Sequence, residues 1–150
     1  MKAETLLQLD NQLCFPLYAA SRMVTKLYQP LLEKLEITYP QYLILLTLWE
    51  NDALTVNEIG KKLMLETNTL TPLLKRMETK GIVKRTRSKI DERRVIIKLT
   101  SKGGSLKKQA LCIPAELLGG VTNQFPLERV GRLRNDLKAL LEVLTYVRPA

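Results

Sequence analysis

The sequence predicts a mainly α-helical fold carrying one small β-hairpin. Three observations point there. Apolar residues recur at helical spacing through most of the 150 residues. Between Thr55 and Leu99 the chain reads as two short amphipathic segments around a turn, a glycine, and two β-rich runs enclosing a charged loop. Positive charge is concentrated in that same stretch. Helix, turn, helix and hairpin in this order make a winged helix-turn-helix, an arrangement that places its second helix in a DNA major groove.

The elements follow in order. Leu6, Leu9, Leu13, Leu17, Ala20, Val24, Leu27 and Leu31 step by three or four, which predicts a long helix from Leu6 to Leu35. Pro16 either kinks it or stands near its true start. Pro40 opens the next helix, Gln41 to about Asn51, with Tyr42, Leu45, Leu46 and Trp49 as its buried side. After a turn at Asp52 and Ala53, Thr55 caps a short helix. Glu58 completes a capping box, and Leu54 and Ile59 form the apolar pair of a staple.

The second helix of the motif begins no earlier than Thr67, because Pro72 is tolerated only near a first turn. Thr67, Asn68 or Thr69 caps it and Gly81 ends it. Leu70, Leu73, Leu74 and Met77 make its core stripe, and Asn68, Thr71, Pro72, Lys75, Arg76 and Thr79 its opposite face. Such donors and cations read base edges and hold phosphates. Ile82–Arg87 and Val95–Leu99 are the two strands of the wing. At its tip, Asp91, Glu92 and Arg93 are expected to shape the loop by local ion pairs, leaving one arginine for a minor groove. The predicted DNA-contacting set is Asn68, Thr69, Thr71, Lys75, Arg76, Arg85, Arg87, Lys89, Arg93 and Arg94.

A further helix starts at Thr100 or Ser101 and runs to about Leu118, kinked at Pro114 and ended by Gly119 and Gly120. The last starts at Pro126 with a stripe of Leu127, Val130, Leu133, Leu137, Leu140, Leu141, Leu144 and Val147. Both terminal regions exceed what a winged helix needs for its core, so their stripes call for a partner, most simply a second copy. The expected organisation is one domain, 1–150. About 40–99 form the DNA-binding lobe, and about 5–35 and 101–148 the dimerisation helices.

Composition narrows the function. The chain has 24 Lys+Arg and 15 Asp+Glu, a net +9. Lys61–Lys107 holds 14 basic and 4 acidic residues, a net of +10 that leaves −1 for the remainder. A segment so biased is the footprint of a nucleic-acid binder. No apolar run is long enough for a membrane span, and the N-terminus lacks a signal-peptide pattern. The absence of His removes Ser-His and Cys-His catalysis and most zinc sites; no metal, cofactor or enzymatic activity is expected. Cys14 and Cys112 form no metal motif, and in the cytoplasm both would be reduced at rest. Cys14 reads either as a small buried hydrophobe or, if hydroxyls such as those of Tyr28 and Tyr39 approach it, as a stabilised thiolate. Cys112 projects with Ser105, Lys108 and Glu116, an accessible place for a resolving thiol or for an idle one.

The stretches N-Q-L-C-F-P-L-Y-A-A-S-R, K-L-Y-Q-P-L-L, I-T-Y-P-Q-Y-L-I-L-L-T-L-W-E, T-L-T-P-L-L-K-R-M-E and D-E-R-R-V resemble the MarR family, and within it the organic-hydroperoxide-sensing OhrR branch. The resemblance spans roughly Leu9 to Leu118. It implies a homodimeric repressor on a pseudo-palindromic operator that lets go when an organic hydroperoxide converts Cys14 to a sulfenic acid. Tyr28 and Tyr39 would then be the hydrogen-bonding partners of Cys14, and Arg93 the minor-groove residue. Members of that branch have one cysteine or two, and the second role for Cys112 stays open; Pro16 departs from the one-cysteine pattern. Two alternatives stand beside this reading. One is a repressor released by a small phenolic ligand in a pocket lined by Tyr28, Tyr39 and Trp49; the other is a thiol peroxidase using Cys14.

Overall fold

A computed structural model describes residues 3–147. The chain forms two compact units, residues up to Leu111 and residues from Cys112 onward. The first contains α1 (Cys14–Glu33), α2 (Tyr39–Glu50), β1 (Leu54–Thr55), α3 (Val56–Leu63), α4 (Thr67–Thr79), β2 (Val83–Arg87), β3 (Val95–Leu99) and α5 (Ser101–Ala110). The second contains α6 (Ile113–Val121) and α7 (Leu127–Tyr146). The mainly helical class with a small antiparallel sheet is as the sequence predicts.

Helix α1 starts eight residues later than its apolar period suggests. Before it the chain carries two short 3-10 turns, Ala3–Leu7 and Leu9–Asn11, tied by the Asn11 side-chain amide donating to the Thr5 carbonyl at 2.7 Å. Pro16 therefore falls at the third residue of the helix, where its missing N–H has no helical acceptor. Pro30 lies in the same helix near its end, a feature the periodicity conceals. Of all α1 side chains only Leu32 is fully buried.

Helix α2 is the centre of the first unit. Thr38 and Gln41 form its capping box, the Thr38 amide donating to Gln41 Oε1 at 3.0 Å, and Pro40 sits in its first turn. Gln41, Tyr42, Ile44, Leu45, Thr47 and Leu48 are buried, whereas Leu46 is exposed and Trp49 half-buried. The expected one-sided stripe is thus corrected: α1, α3, α4 and α5 all pack on α2, and a helix covered on most sides is apolar on most sides.

The predicted capping box of α3 is present, and α3 ends with Met64 in the left-handed region at φ 54°. Gly60 permits the tight turn into α4, since a Cβ there would lie 2.7 Å from the Leu65 carbonyl oxygen. Helix α4 runs from Thr67, with Glu66 rather than a threonine or Asn68 at the cap position and no side-chain cap bond. Pro72 is its sixth residue, beyond the first turn where the sequence reading confines it. Leu70, Leu73, Leu74 and Met77 are all buried, and Gly81 at φ 69° ends the helix.

A strand that sequence reading missed completes the sheet. β1 pairs antiparallel with β3 (Leu54 opposite Ile97, Thr55 opposite Ile96), so the order is β1-β3-β2. β2 and β3 pair from Val83 opposite Leu99 to Arg87 opposite Val95. Two residues are too short to show a period, which is why β1 escaped notice.

The single helix expected from residue 101 to Leu118 is two. Thr100 caps α5 by accepting the Gly103 N–H at 3.1 Å, and α5 stops at Ala110. Pro114 is in the first turn of α6 and marks a new start, not a kink. Gly119 and Gly120 lie inside α6, which ends at Val121. In the second unit α7 starts directly after Pro126, and none of its residues is fully buried. Residue 148, the far end of the region expected to dimerise, lies outside the described residues.

An alanine Cβ at Gly103 would meet the Ile82 carbonyl oxygen at 2.2 Å, whereas Gly104 has nothing within 4 Å. Gly103→Ala should destabilise the protein by about 1–3 kcal/mol through overpacking. Gly104→Ala should stabilise it by up to about 1 kcal/mol through helix propensity. Chemical denaturation of the two variants beside wild type checks the opposite signs.

Candidate nucleic-acid interface and thiol sites

The polar side of α4 is open. Asn68, Thr69, Lys75 and Arg76 are exposed and Thr71 half-buried, its hydroxyl donating to the Thr67 carbonyl at 2.8 Å. The core stripe fixes this orientation, because burying Leu70, Leu74 and Met77 turns Asn68, Lys75 and Arg76 outward.

Arg87, Lys89, Arg93 and Arg94 of the wing are exposed as well. Arg85 is different. Its guanidinium lies 3.6 Å from Glu78 Oε2, its amide donates to Glu78 Oε1 at 3.0 Å, and its buried Nε has no hydrogen-bond partner. This pair ties the end of α4 to β2, so Arg85 acts first in holding the wing against the helix. The tip also corrects an expectation. No ion pair shapes it among the described residues; backbone donors do. Ser88 Oγ accepts the N–H groups of Ile90 and Asp91 at 3.2 and 3.4 Å, and Asp91 Oδ1 accepts that of Arg93 at 3.1 Å. The Arg94 N–H closes the loop on the Asp91 carbonyl at 2.9 Å.

Thr71, Arg85, Arg93 and Arg94 meet at a notch of about 130 Å³ between the start of α4, the base of the wing and the start of α3. Thr55, Val56, Asn57, Thr67 and Val95 complete its walls. Asn57 and Thr67, 3.5 Å apart through their side-chain oxygens, are surface positions that sequence reasoning missed. Only knowledge that the two helix starts converge could have found them. Glu58 borders this region. Its carboxylate accepts the Thr55 hydroxyl and amide, each at 2.7 Å, and these bonds, helped by the charges of Arg94 and Lys61, hold its carboxyl below the usual glutamate range.

Part of the positive charge has another task. Lys80 donates to the Glu36 carbonyl, Lys102 to the Lys80 carbonyl at 3.0 Å and Lys107 to the Trp49 carbonyl at 3.1 Å. Glu36 lies in the turn after α1, Lys80 caps α4, and Trp49 is in the last turn of α2. Three of the cations in the basic segment thus satisfy carbonyls at or just beyond helix ends.

Cys14 is exposed at the first residue of α1, and Cys112 is exposed at the cap position of α6. Tyr28 and Tyr39 do come together, with ring centroids 4.9 Å apart, and Tyr42 lies 5.8 Å from Tyr28 and 6.4 Å from Tyr39. They do not meet Cys14 within one chain. Tyr28 is fourteen residues along the same continuous helix, about 21 Å at 1.5 Å per residue. Burial raises both phenols above the ordinary tyrosine range, and for Tyr28 the neighbouring Tyr39 and Tyr42 add to it. Each therefore keeps its O–H at neutral pH and remains a hydrogen-bond donor. Trp49 follows at 6.3 Å from Tyr42, and its indole N–H donates to the Gly103 carbonyl at 3.0 Å. A groove of about 540 Å³ runs between α1 and the start of α2; Tyr39 is in its wall, but Tyr28 and Trp49 are not. The aromatic pocket imagined for a phenolic ligand is thus not assembled there: those rings pack largely on each other. Among the described residues no three His, Cys, Asp or Glu side chains cluster as a metal site, and no helix is long and apolar enough to cross a membrane.

The family described as transcriptional regulator SarA/Rot matches residues 26–110. The organic hydroperoxide resistance transcriptional regulator of Bacillus subtilis (strain 168) is 52% identical over 138 residues, covering 92% of this chain and 92% of its own. Reduced AbfR bound to DNA superposes with a TM-score of 0.81 at 39% identity, covering 97% of this chain and 99% of that one. Disulfide-formed AbfR superposes at 0.65 with 37% identity, covering 96% and 97%; AbfR is a protein of Staphylococcus epidermidis.

Three outcomes are expected of these sites. Arg87→Ala should leave the melting temperature unchanged and reduce the slope of log affinity for duplex DNA against log salt by about 0.9, the loss of one phosphate contact. Arg85→Ala should instead lower the melting temperature, because it unties α4 from β2. For Glu58, the lowered carboxyl contributes stability that is present above the unfolded glutamate range and lost as pH falls through the folded one. Glu58→Gln keeps the capping geometry but cannot titrate, so melting temperatures followed from pH 6 downward should fall less steeply than in wild type.

Proposed function

The chain belongs to the MarR family of transcriptional regulators, among the relatives of the organic hydroperoxide resistance regulator, and we propose that Cys14 is its sensor. It is a redox-sensing, DNA-binding repressor whose relatives are transcriptional regulators, not enzymes. In this reading it works in the cytoplasm as a homodimer on a pseudo-palindromic duplex. Each α4 enters a major groove, with half-sites one turn apart, about 10 bp, and each wing reaches a flanking minor groove through Arg93.

The observation that carries the sensing role is the layout of α1. One rigid helix has an exposed thiol at its head and, at its tail, Tyr28 against α2 and Leu32 in the core of the DNA-binding unit. Leu13 at its cap and Phe15, Tyr18, Met23, Val24 and Leu27 along it are exposed and call for a partner. Two α1 helices running antiparallel across a two-fold axis would bring the head of one to the tail of the other. Cys14 would then receive its hydrogen bonds from the partner subunit's Tyr28 and the partner subunit's Tyr39. In the second unit, Leu133, Leu141 and Leu144 of α7 are likewise exposed.

The chemistry is a two-electron oxidation. The Cys14 thiolate attacks the distal oxygen of an organic hydroperoxide, the O–O bond breaks, and the alkoxide leaves as alcohol after taking a proton. The sulfenic acid so formed condenses with the thiol of the partner subunit's Cys112, releasing water and forming an intersubunit disulfide. Supporting the second step are the exposure of Cys112 and the likeness to a relative solved in a disulfide form.

Operator affinity measured by fluorescence anisotropy, before and after a few equivalents of an organic hydroperoxide, tests this reading. Peroxide should release wild type by at least about tenfold, a coupling within the usual 1–3 kcal/mol of allosteric systems, and leave Cys14→Ser bound. A covalent dimer on non-reducing gels should appear in wild type and vanish in Cys112→Ser. If wild type stays bound, the sensing role is wrong; sustained peroxide turnover with a thiol reductant would make the protein a peroxidase instead.

A further inference from the structure

Ile90 is 98% exposed, the highest value among the exposed large hydrophobics of the described residues. Leu7, Tyr146 and the other highly exposed side chains of that class lie mostly near the termini or on the uncovered stripes of α1 and α7; Ile90 does not. It stands at the tip of the wing, and the tip holds it there. Its own N–H and that of Asp91 are fastened to Ser88 Oγ, while the Ser88 N–H donates to the Arg94 carbonyl at 2.8 Å. An aliphatic side chain presented by a hydrogen-bonded loop contributes nothing to the core. On both sides of it stand exposed cations, Arg87 and Lys89 before, Arg93 and Arg94 after.

An apolar tip between two cationic shoulders is complementary to a duplex minor groove, with phosphates along both rims and apolar sugar walls inside. We propose that Ile90 is a specificity-determining residue that packs on the floor of the minor groove beside Arg93 and requires A·T pairs there. The discriminating group is the guanine 2-amino, which projects into the minor groove from G·C pairs and would strike the methyl groups of Ile90. This rests on the DNA-binding reading above and adds to it a residue that reads bases by shape, where the cations alone read phosphate and potential.

Duplexes enriched from a random library by the reduced full-length protein supply the probes. In the positions flanking the major-groove half-sites, A·T pairs are replaced by inosine·cytosine, which lacks the 2-amino group, and by G·C. Wild type should bind the first two alike and the G·C duplex at least about fivefold more weakly, the scale of one mismatched pair. Ile90→Ala should melt as wild type does, bind the A·T duplex about threefold to tenfold more weakly from lost apolar contact, and show a smaller gap to G·C. The proposal is overturned if Ile90→Ala keeps both affinity and gap, or if wild type treats inosine·cytosine like G·C or shows no gap. A wild type that enriches no duplex overturns the DNA-binding reading, and this inference with it.

Discussion

The DNA-binding unit hangs on one close approach, the start of α5 against the carbonyl of Ile82. Gly103 has no Cβ, and only so can its backbone lie where a methyl group would be 2.2 Å from that oxygen. Around this point the polar groups are all engaged. Thr100 Oγ donates within reach of the Gly81 and Ile82 carbonyls at 2.6 and 2.9 Å while accepting the Gly103 N–H, and the Thr100 N–H also donates to Ile82. Trp49 closes the group from α2 by donating to the Gly103 carbonyl. The end of α4, the start of β2, the end of β3, α5 and α2 are thereby fixed by a few bonds in a half-buried place, where each is strengthened by exclusion of water. The angle of the wing to α4 follows from this junction and from the Arg85–Glu78 pair.

Rigidity at that end gives meaning to the bareness of the other. Helix α1 hands Leu32 and the Tyr28 ring to the unit and leaves most of its apolar length uncovered. A repressor with two half-sites needs a fixed distance between its two α4 helices. In the proposed dimer that distance is set where the uncovered faces meet a second copy, so oxidation at the head of α1 would act on spacing without touching any DNA contact. A sulfenate or a disulfide there would add polarity or a covalent tie where the two copies are proposed to pack, and packed interfaces respond by rearranging rather than by yielding gradually.

Much of this was legible in the sequence because it rests on local rules. The stripe of α4, the Thr55–Glu58 box, the Gly81 stop and the paired strands each follow from spacing and turn chemistry, and each is found. What failed depended on neighbours. Leu46 looked buried because α2 was read as one-sided, and β1 has no period to read. Glycines at 119 and 120 suggested an end, yet α6 runs through them after restarting at Pro114. In the site, Asn68, Lys75, Arg76 and the wing cations were placed by pattern, but the fold commitment of Arg85 and the convergence of Asn57 with Thr67 are tertiary facts. Tyr28 and Tyr39 were read as partners of Cys14; that they pack on each other is a tertiary fact, and that they lie far from the Cys14 of their own chain follows only from α1 being unbroken between Cys14 and Tyr28.

Charge shows the same division between local pattern and tertiary use. A count of cations identifies the segment that faces nucleic acid, yet it cannot say which of them bind. Lys80, Lys102 and Lys107, though exposed, donate to carbonyls at or just beyond helix ends, where they offset the partial negative charge of those ends. Their charges still add to the field that draws a polyanion, which decays over about 8–10 Å at physiological salt. In the proposed complex the contacts themselves fall to exposed side chains on the outer face of α4 and along the wing. Long-range attraction and short-range recognition are therefore carried by different residues of one basic segment. Neutralising one of these carbonyl-bound lysines would unfasten a helix end before it weakened any groove contact, whereas neutralising Arg87 would do the reverse.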